Sequence, residues 1–131
     1  MKKSLKRIIL LGLILFFGYL IYLNHLVKGA LSSEIQESEK INQIEYPLEG
    51  YPKEMVNMLL LIEDQSFFQH RGVDFKEIMR VFYGYFLEDR PIRGASTITQ
   101  QLIKNTLLSR DKTLSRKIDE VLMAMLMELN Y

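Results

Sequence analysis

From Ile8 to Val27 the chain is apolar almost without a break, with Asn24 and His25 close to the far end of the run. About 20 such residues cross a bilayer as a helix, so the run predicts a transmembrane anchor over 8–27. Lys2, Lys3, Lys6 and Arg7 precede it. The positive-inside rule then makes 1–7 a cytoplasmic basic tail and puts everything after about Lys28 outside the cell. A cleavable signal peptide is the competing reading, disfavoured by the length of the apolar core and by the lack of a small-x-small cut site. Residues 28–51 are rich in Ser, Glu, Gln and Asn and read as a polar linker, with one more exposed helix as the alternative.

Beyond the linker every pattern has the helical period. Pro52 suits a first turn, and Met55, Met58, Leu59 and Ile62 recur at three and four, which delivers Glu63 at the C-terminal end of a helix. Asp74 with Glu77 three residues on resembles a capping box. The Phe75, Ile78, Met79, Phe82, Phe86 stripe that follows is expected to be core. Gln65–Val73 and Glu88–Gly94 are loops. A last helix begins near Thr113 with Leu114, Ile118, Val121, Leu122, Met125 and Leu129 on one face. Met123, Ala124 and Met127 make its other face apolar too, so it should be buried or lie against lipid or a partner. No alternating strand pattern is evident, and the fold class expected is all-α.

One helix carries an unusual polar face. In the stretch from Gly94 to Asn105, Ser96, Thr97, Gln100, Gln101, Lys104 and Asn105 project to one side, and Ile98, Leu102, Ile103, Thr106 and Leu107 to the other. Uncharged donors and acceptors suit a hydroxyl-rich ligand. Gly94 and Ala95 keep bulk away from the helix start, whose free N–H groups would form an anion site with Lys104 adding charge. A plain amphipathic helix capped by Ser96 is the alternative, and the residues alone leave both open.

Upstream lies Glu63-Asp64-Gln65-Ser66-Phe67-Phe68-Gln69-His70-Arg71-Gly72, and downstream lies Arg116-Lys117-Ile118-Asp119-Glu120. These blocks, in this order, resemble the E-D-x-x-F-x-x-H-x-G, G-x-S-T-x-T-Q-Q-L-x-K-N and R-K-x-x-E motifs of peptidoglycan glycosyltransferases. That family comprises monofunctional cell-wall glycosyltransferases and the N-terminal domains of class A penicillin-binding proteins. The resemblance covers roughly 52–131, and Ala95 departs from the glycine usual there. It implies a lysozyme-like, mostly helical lobe, incomplete at its C-terminal side because further family motifs lie beyond this point. The isolated chain is accordingly expected to be poorly folded or inactive until downstream sequence is restored, with the last helix short of a covering partner.

The resemblance implies polymerisation of lipid II into glycan strands, with Glu63 as general base, flanked by Leu60, Leu61 and Ile62 that would shield it from water. Glu120 matches the second key carboxylate, near the pyrophosphate and a candidate ligand for a divalent cation, magnesium or manganese; no cofactor is demanded. On the residues alone, Glu120 is either paired with Arg116 one turn earlier or aimed into a site. Lys104, Lys112, Arg116 and Lys117 are the cations for the pyrophosphate, and Asp64, Ser96, Thr97, Gln100, Gln101 and Asn105 the contacts to sugars and phosphate oxygens. Phe67, His70, Gly72 and Gly94 are structural, with His70 fixing its loop by a hydrogen bond and Phe67 packing it onto the core. A non-catalytic, membrane-anchored lipid II-binding module and a lysozyme-like lytic enzyme are the alternatives. Partners would be lipid II, the growing strand, the membrane, and cell-wall synthesis or division proteins.

Composition narrows this further. Cysteine is absent, so neither disulfides nor thiolate metal sites exist, and a single histidine after the anchor argues against zinc. Setting the four N-terminal cations aside turns the net +1 into −3, which argues against nucleic acid as a partner.

Overall fold

The computed structural model describes residues 2–40, 48–89, 94–109 and 111–131. Five α-helices follow in order: α1 Lys2–Lys40, α2 Lys53–Glu63, α3 Phe75–Glu88, α4 Ile98–Thr106 and α5 Leu114–Asn130. Single 3-10 turns lie at Leu48–Gly50 and Phe67–Gln69, and no strand occurs among the described residues. The fold is all-α, as its period predicts. Part of the predicted linker and most of the Glu88–Gly94 loop fall on 41–47 and 90–93, outside the described residues.

The apolar run is helical, and the helix is long and apolar enough to cross a membrane. It does not stop at Val27. The first half of the segment read as a linker, up to Lys40, continues α1. An established helix adds one hydrogen bond for each residue it fixes, and Glu, Gln and Lys carry high helix propensity, so nothing in this stretch forces a break.

The core is small and sits where α1, α4 and α5 meet. Leu23, Val27, Val73, Ile103, Met123 and Ala124 form it, with Leu107, Leu108, Val121, Leu126 and Met127 packed against it. Burying a side chain such as Ile103 or Met123 is worth about 1.5–3 kcal/mol. α1 and α4 cover one side of α5, while the stripe on its other side stays exposed, so the expected lack of a covering partner holds for that side only. Two polar ties fasten α1 to α5: the Tyr19 hydroxyl donates to Asp119, and Asn130 Nδ2 donates to Asn24 Oδ1 at 2.7 Å.

Three apolar faces lie elsewhere than their periodicity suggests. On α5 the Leu114, Ile118, Met125, Leu129 stripe is exposed, and the opposite side bearing Glu120, Met123 and Ala124 is buried. With both sides apolar, hydrophobicity does not choose between them; the polar partners waiting for Glu120 do. The α3 stripe expected to be core is largely outside, with Phe75, Met79, Phe82 and Phe86 exposed and only Gly84 buried. Met55, Met58, Leu59 and Ile62 of α2 are likewise exposed. Periodicity marks a face as apolar but does not supply the surface that covers it.

The loop joining α2 to α3 is tied down by polar contacts. Asp74 caps α3, its Oδ1 accepting from the Glu77 N–H at 2.9 Å and its Oδ2 from the Ser66 hydroxyl. The reciprocal half of the expected capping box is replaced, since Glu77 instead pairs with Arg80. The Ser66 hydrogen bond, more than the amide of Glu77, holds the Asp74 carboxyl below its ordinary range against the opposing cost of burial. A folded-state value below the unfolded one makes this contribution present at neutral pH and lost as pH falls through the folded value. Asp74→Ala should therefore cost about 1–2 kcal/mol at pH 7. Thermal melts followed by circular dichroism should show the gap between variant and parent shrinking below about pH 4, near the unfolded carboxyl value.

Candidate active site

Each of the three sequence blocks lands on a different element, and the loop from Asp64 to Asp74 binds them together. Asp64 follows α2 and is buried. Its Oδ2 accepts from the Ile98 N–H at 3.0 Å, at the first turn of α4. Its Oδ1 lies 2.8 Å from His70 Nε2, which donates to it because a carboxylate oxygen only accepts. His70 thus fixes the loop by a hydrogen bond, as expected, while its Nδ1 is buried without a partner. Phe67 is half-buried with its ring edge-on to His70.

Gly72 is required at its position. Its φ is +76°, and a Cβ there would come within 2.5 Å of the Ala124 carbonyl oxygen. That approach seats the loop on α5 while the Gly72 carbonyl accepts from the Thr97 hydroxyl at 2.6 Å. Gly94 stands in open space and shows no comparable need.

At the start of α4, Thr97 is the cap in place of Ser96. Its hydroxyl accepts from the Gln100 N–H at 3.2 Å, and Gln100 Oε1 accepts from the Thr97 N–H at 3.1 Å, a closed capping box. The anion site expected here is filled from within, because Asp64 already occupies the Ile98 N–H. Lys104 sits in the last turn of α4, at the wrong end to add charge to that site.

Gln100 has 0% of its surface exposed and Glu120 has 1%. Gln100 Nε2 donates to Glu120 Oε1 at 3.4 Å, Arg116 Nη1 donates to Oε2 at 3.1 Å, and Lys117 Nζ donates to Oε1. Both alternatives for Glu120 therefore merge: it pairs with Arg116 and points inward. Thr97 and Gln100, read as substrate contacts, are instead interior parts of the frame. Both oxygens of Glu120 are thus engaged, Oε1 by Lys117 and Gln100 and Oε2 by Arg116.

The chemically open place is a cleft of about 570 Å³. Glu63, Ser66, Gln69, Gly94, Ser96 and Thr97 help line it, with Lys76, Glu77 and Arg80 contributed by α3. Glu63 is exposed at the end of α2, and its Oε2 accepts from Gln101 Nε2 at 2.8 Å. The shielding expected of its neighbours does not arise, since Leu61 and Ile62 are exposed. Lys117 Nζ donates to Ser96 Oγ at 2.8 Å, which brings one cation to the rim. Lys104, Asn105 and Lys112 are exposed but do not line the cleft. The α3 residues escaped the sequence reading, although Lys76 and Arg80 at i and i+4 share a helix face directly after the first block.

The family model described as Transglycosylase matches residues 28–131, opening within α1 and well before Pro52. Among relatives, penicillin-binding protein 1B of Haemophilus influenzae is 35% identical over 95 residues, covering 72% of this chain and 12% of the relative. Penicillin-binding protein 1F of Bacillus subtilis is 38% identical over 103 residues, 79% of this chain and 13% of that protein. Penicillin-binding protein 1B of Vibrio cholerae is 42% identical over 81 residues, 62% of this chain and 10% of the relative. The chain thus spans about a tenth of the length of these relatives.

The two carboxylates should separate cleanly in a stability measurement. Glu120→Gln leaves Arg116 and Lys117 without their buried anion and should cost about 3 kcal/mol. Glu63→Gln, at an exposed position, should stay within about 0.5 kcal/mol of the parent. Thermal unfolding of the two variants side by side checks this, and equal losses would contradict the inward role of Glu120.

Proposed function

This chain belongs to the transglycosylase family, and from that premise we propose that it takes part in polymerising lipid II into peptidoglycan glycan strands. The observation that carries the reading is Glu63, an exposed carboxylate on the cleft, held by Gln101 from the helix of the second sequence block. In this reading Glu63 removes the proton from the 4-hydroxyl of the acceptor sugar as its oxygen attacks the anomeric carbon of the donor. The bond from that carbon to the pyrophosphate oxygen breaks, and its electron pair leaves with the undecaprenyl pyrophosphate.

The leaving group needs positive charge or hydrogen-bond donors where its own charge develops. Lys117, at the rim beside Ser96, is assigned this task, with Lys76 and Arg80 lining the cleft from α3. Arg116 acts one step removed, by neutralising Glu120 so that Lys117 keeps its net charge toward the cleft. Lys104 and Lys112, exposed away from the cleft, are assigned to the lipid-borne phosphates before they reach it. Ser96 and Gln101 are the members of the polar helix available to sugar hydroxyls. No step calls for a resident cofactor.

The anchor would place the N-terminus in the cytoplasm and the cleft outside, where the growing strand and the proteins of wall synthesis or division meet it. Glu63→Gln preserves volume and the Gln101 neighbour while removing the base. In a length-complete, membrane-embedded version, strand formation from lipid II should fall by about 10²- to 10⁴-fold with substrate binding largely kept. A variant that retained more than about a tenth of the rate would move the base elsewhere. Binding of lipid II by the length-complete parent without any turnover would replace polymerisation with a binding role.

A further inference from the structure

A second cavity, of about 320 Å³, adjoins the cleft that holds Glu63. Ser66, Gln69, Asp74 and Lys76 line both, so the loop after α2 and the first turn of α3 form a shared wall. The second cavity is a side bay of the first. Its far side comes from α5: the approach of Gly72 to Ala124 brings Arg71 and Val73 up to Met125, the next residue of that helix. A substituent on a sugar held in the cleft has this bay beside it.

The lining is of two kinds. Arg71 and Lys76 are exposed, and neither side chain has a hydrogen-bond or ion-pair partner among the described residues. Arg80 differs, being already held by Glu77. Asp74 is the one carboxylate facing the two cations, and Ser66 and the Glu77 N–H already engage it. The bay therefore keeps positive charge to spare. Val73, Phe75 and Met125 supply an apolar part. His70 lines the bay as well, and its Nδ1 is the one buried side-chain polar atom without a partner among the described residues. An unpaired buried polar atom is a cost that an arriving partner removes.

Free cations beside apolar side chains fit carboxylates carried on a short backbone with small apolar groups. A pyrophosphate has the charge without the apolar part, and a bare sugar has neither. Lipid II carries such a chain, a short peptide of small and acidic residues attached to one of its two sugars. We propose, resting on the reading of the cleft as the place where lipid II reacts, that the bay is the subsite for this peptide. Arg71 and Lys76 meet its carboxylates, and Val73, Phe75 and Met125 meet its methyl groups.

Two ligands separate the peptide from the pyrophosphate: lipid II with its peptide carboxylates free, and the same molecule with them converted to carboxamides. In detergent micelles the length-complete protein should bind the free form about three- to tenfold more tightly, the scale of two exposed ion pairs. Arg71→Gln combined with Lys76→Gln changes only exposed positions, so helix content by circular dichroism should be kept. That variant should bind both forms alike, at the parent's affinity for the carboxamide form. Arg71→Lys with Lys76→Arg should retain the preference. Equal binding of the two forms by the parent would rule out the subsite. A loss of equal size for both forms in the double Gln variant would also rule it out, by putting the two cations on the pyrophosphate. Binding of neither form by the parent is a separate result: it would overturn the lipid II reading itself, and the subsite with it.

Discussion

The buried Glu120 carboxylate is the contact on which the arrangement of this chain turns. It has surrendered its water, and an unpaired charge in that position would be severely destabilising. Arg116 and Lys117 on its own helix and Gln100 on α4 answer it together. Because Gln100 is also half of the α4 capping box, the same amide closes the helix start and fixes the crossing of α4 over α5. From there the order propagates outward: the α4 start receives Asp64, Asp64 holds His70, and the loop between them lays Gly72 against α5. The cleft is thus the outer side of a polar seam whose inner side is sealed.

What could be read beforehand was the type of each element and the address of each motif. Helical period, the Asp74 cap and the helix ending at Glu63 are local properties, and local properties survive folding. Which side of a helix faces inward was less legible. For α5 both sides were apolar, and the choice rested on Gln100 reaching Glu120 from another helix, a contact of sequence separation 20. Two members of the polar face of α4, Thr97 and Gln100, turn inward for the same reason. Glutamine reads as a surface ligand until its neighbour three residues back is seen to be a threonine cap and its other end a buried carboxylate. Lys76 and Arg80 went unread because a basic pair on an amphipathic helix has no distinguishing mark until the fold sets it across a cleft from Glu63.

Exposure on α2 and α3 tells a related story. Their aromatic and methionine faces follow the helical period well but remain largely exposed. The small core gathers instead on α5, where the segment past Gly18 of a nominal anchor supplies Leu23 and Val27. The family match opens at Lys28, just past the α1 residues that enter this core.

Continuity of α1 makes it an axle, with a definite phase relative to the cleft. Its two polar ties lie five residues apart, and each depends on the azimuth of the helix as well as on its height. One residue inserted between the basic tail and Tyr19 would turn the tail by about 100° and shift it by about 1.5 Å relative to the lobe, while leaving both ties intact. One residue inserted between Tyr19 and Asn24 would set the ties against each other. The membrane segment is therefore not an interchangeable peg: drift in length is tolerated on one side of Tyr19 and forbidden on the other.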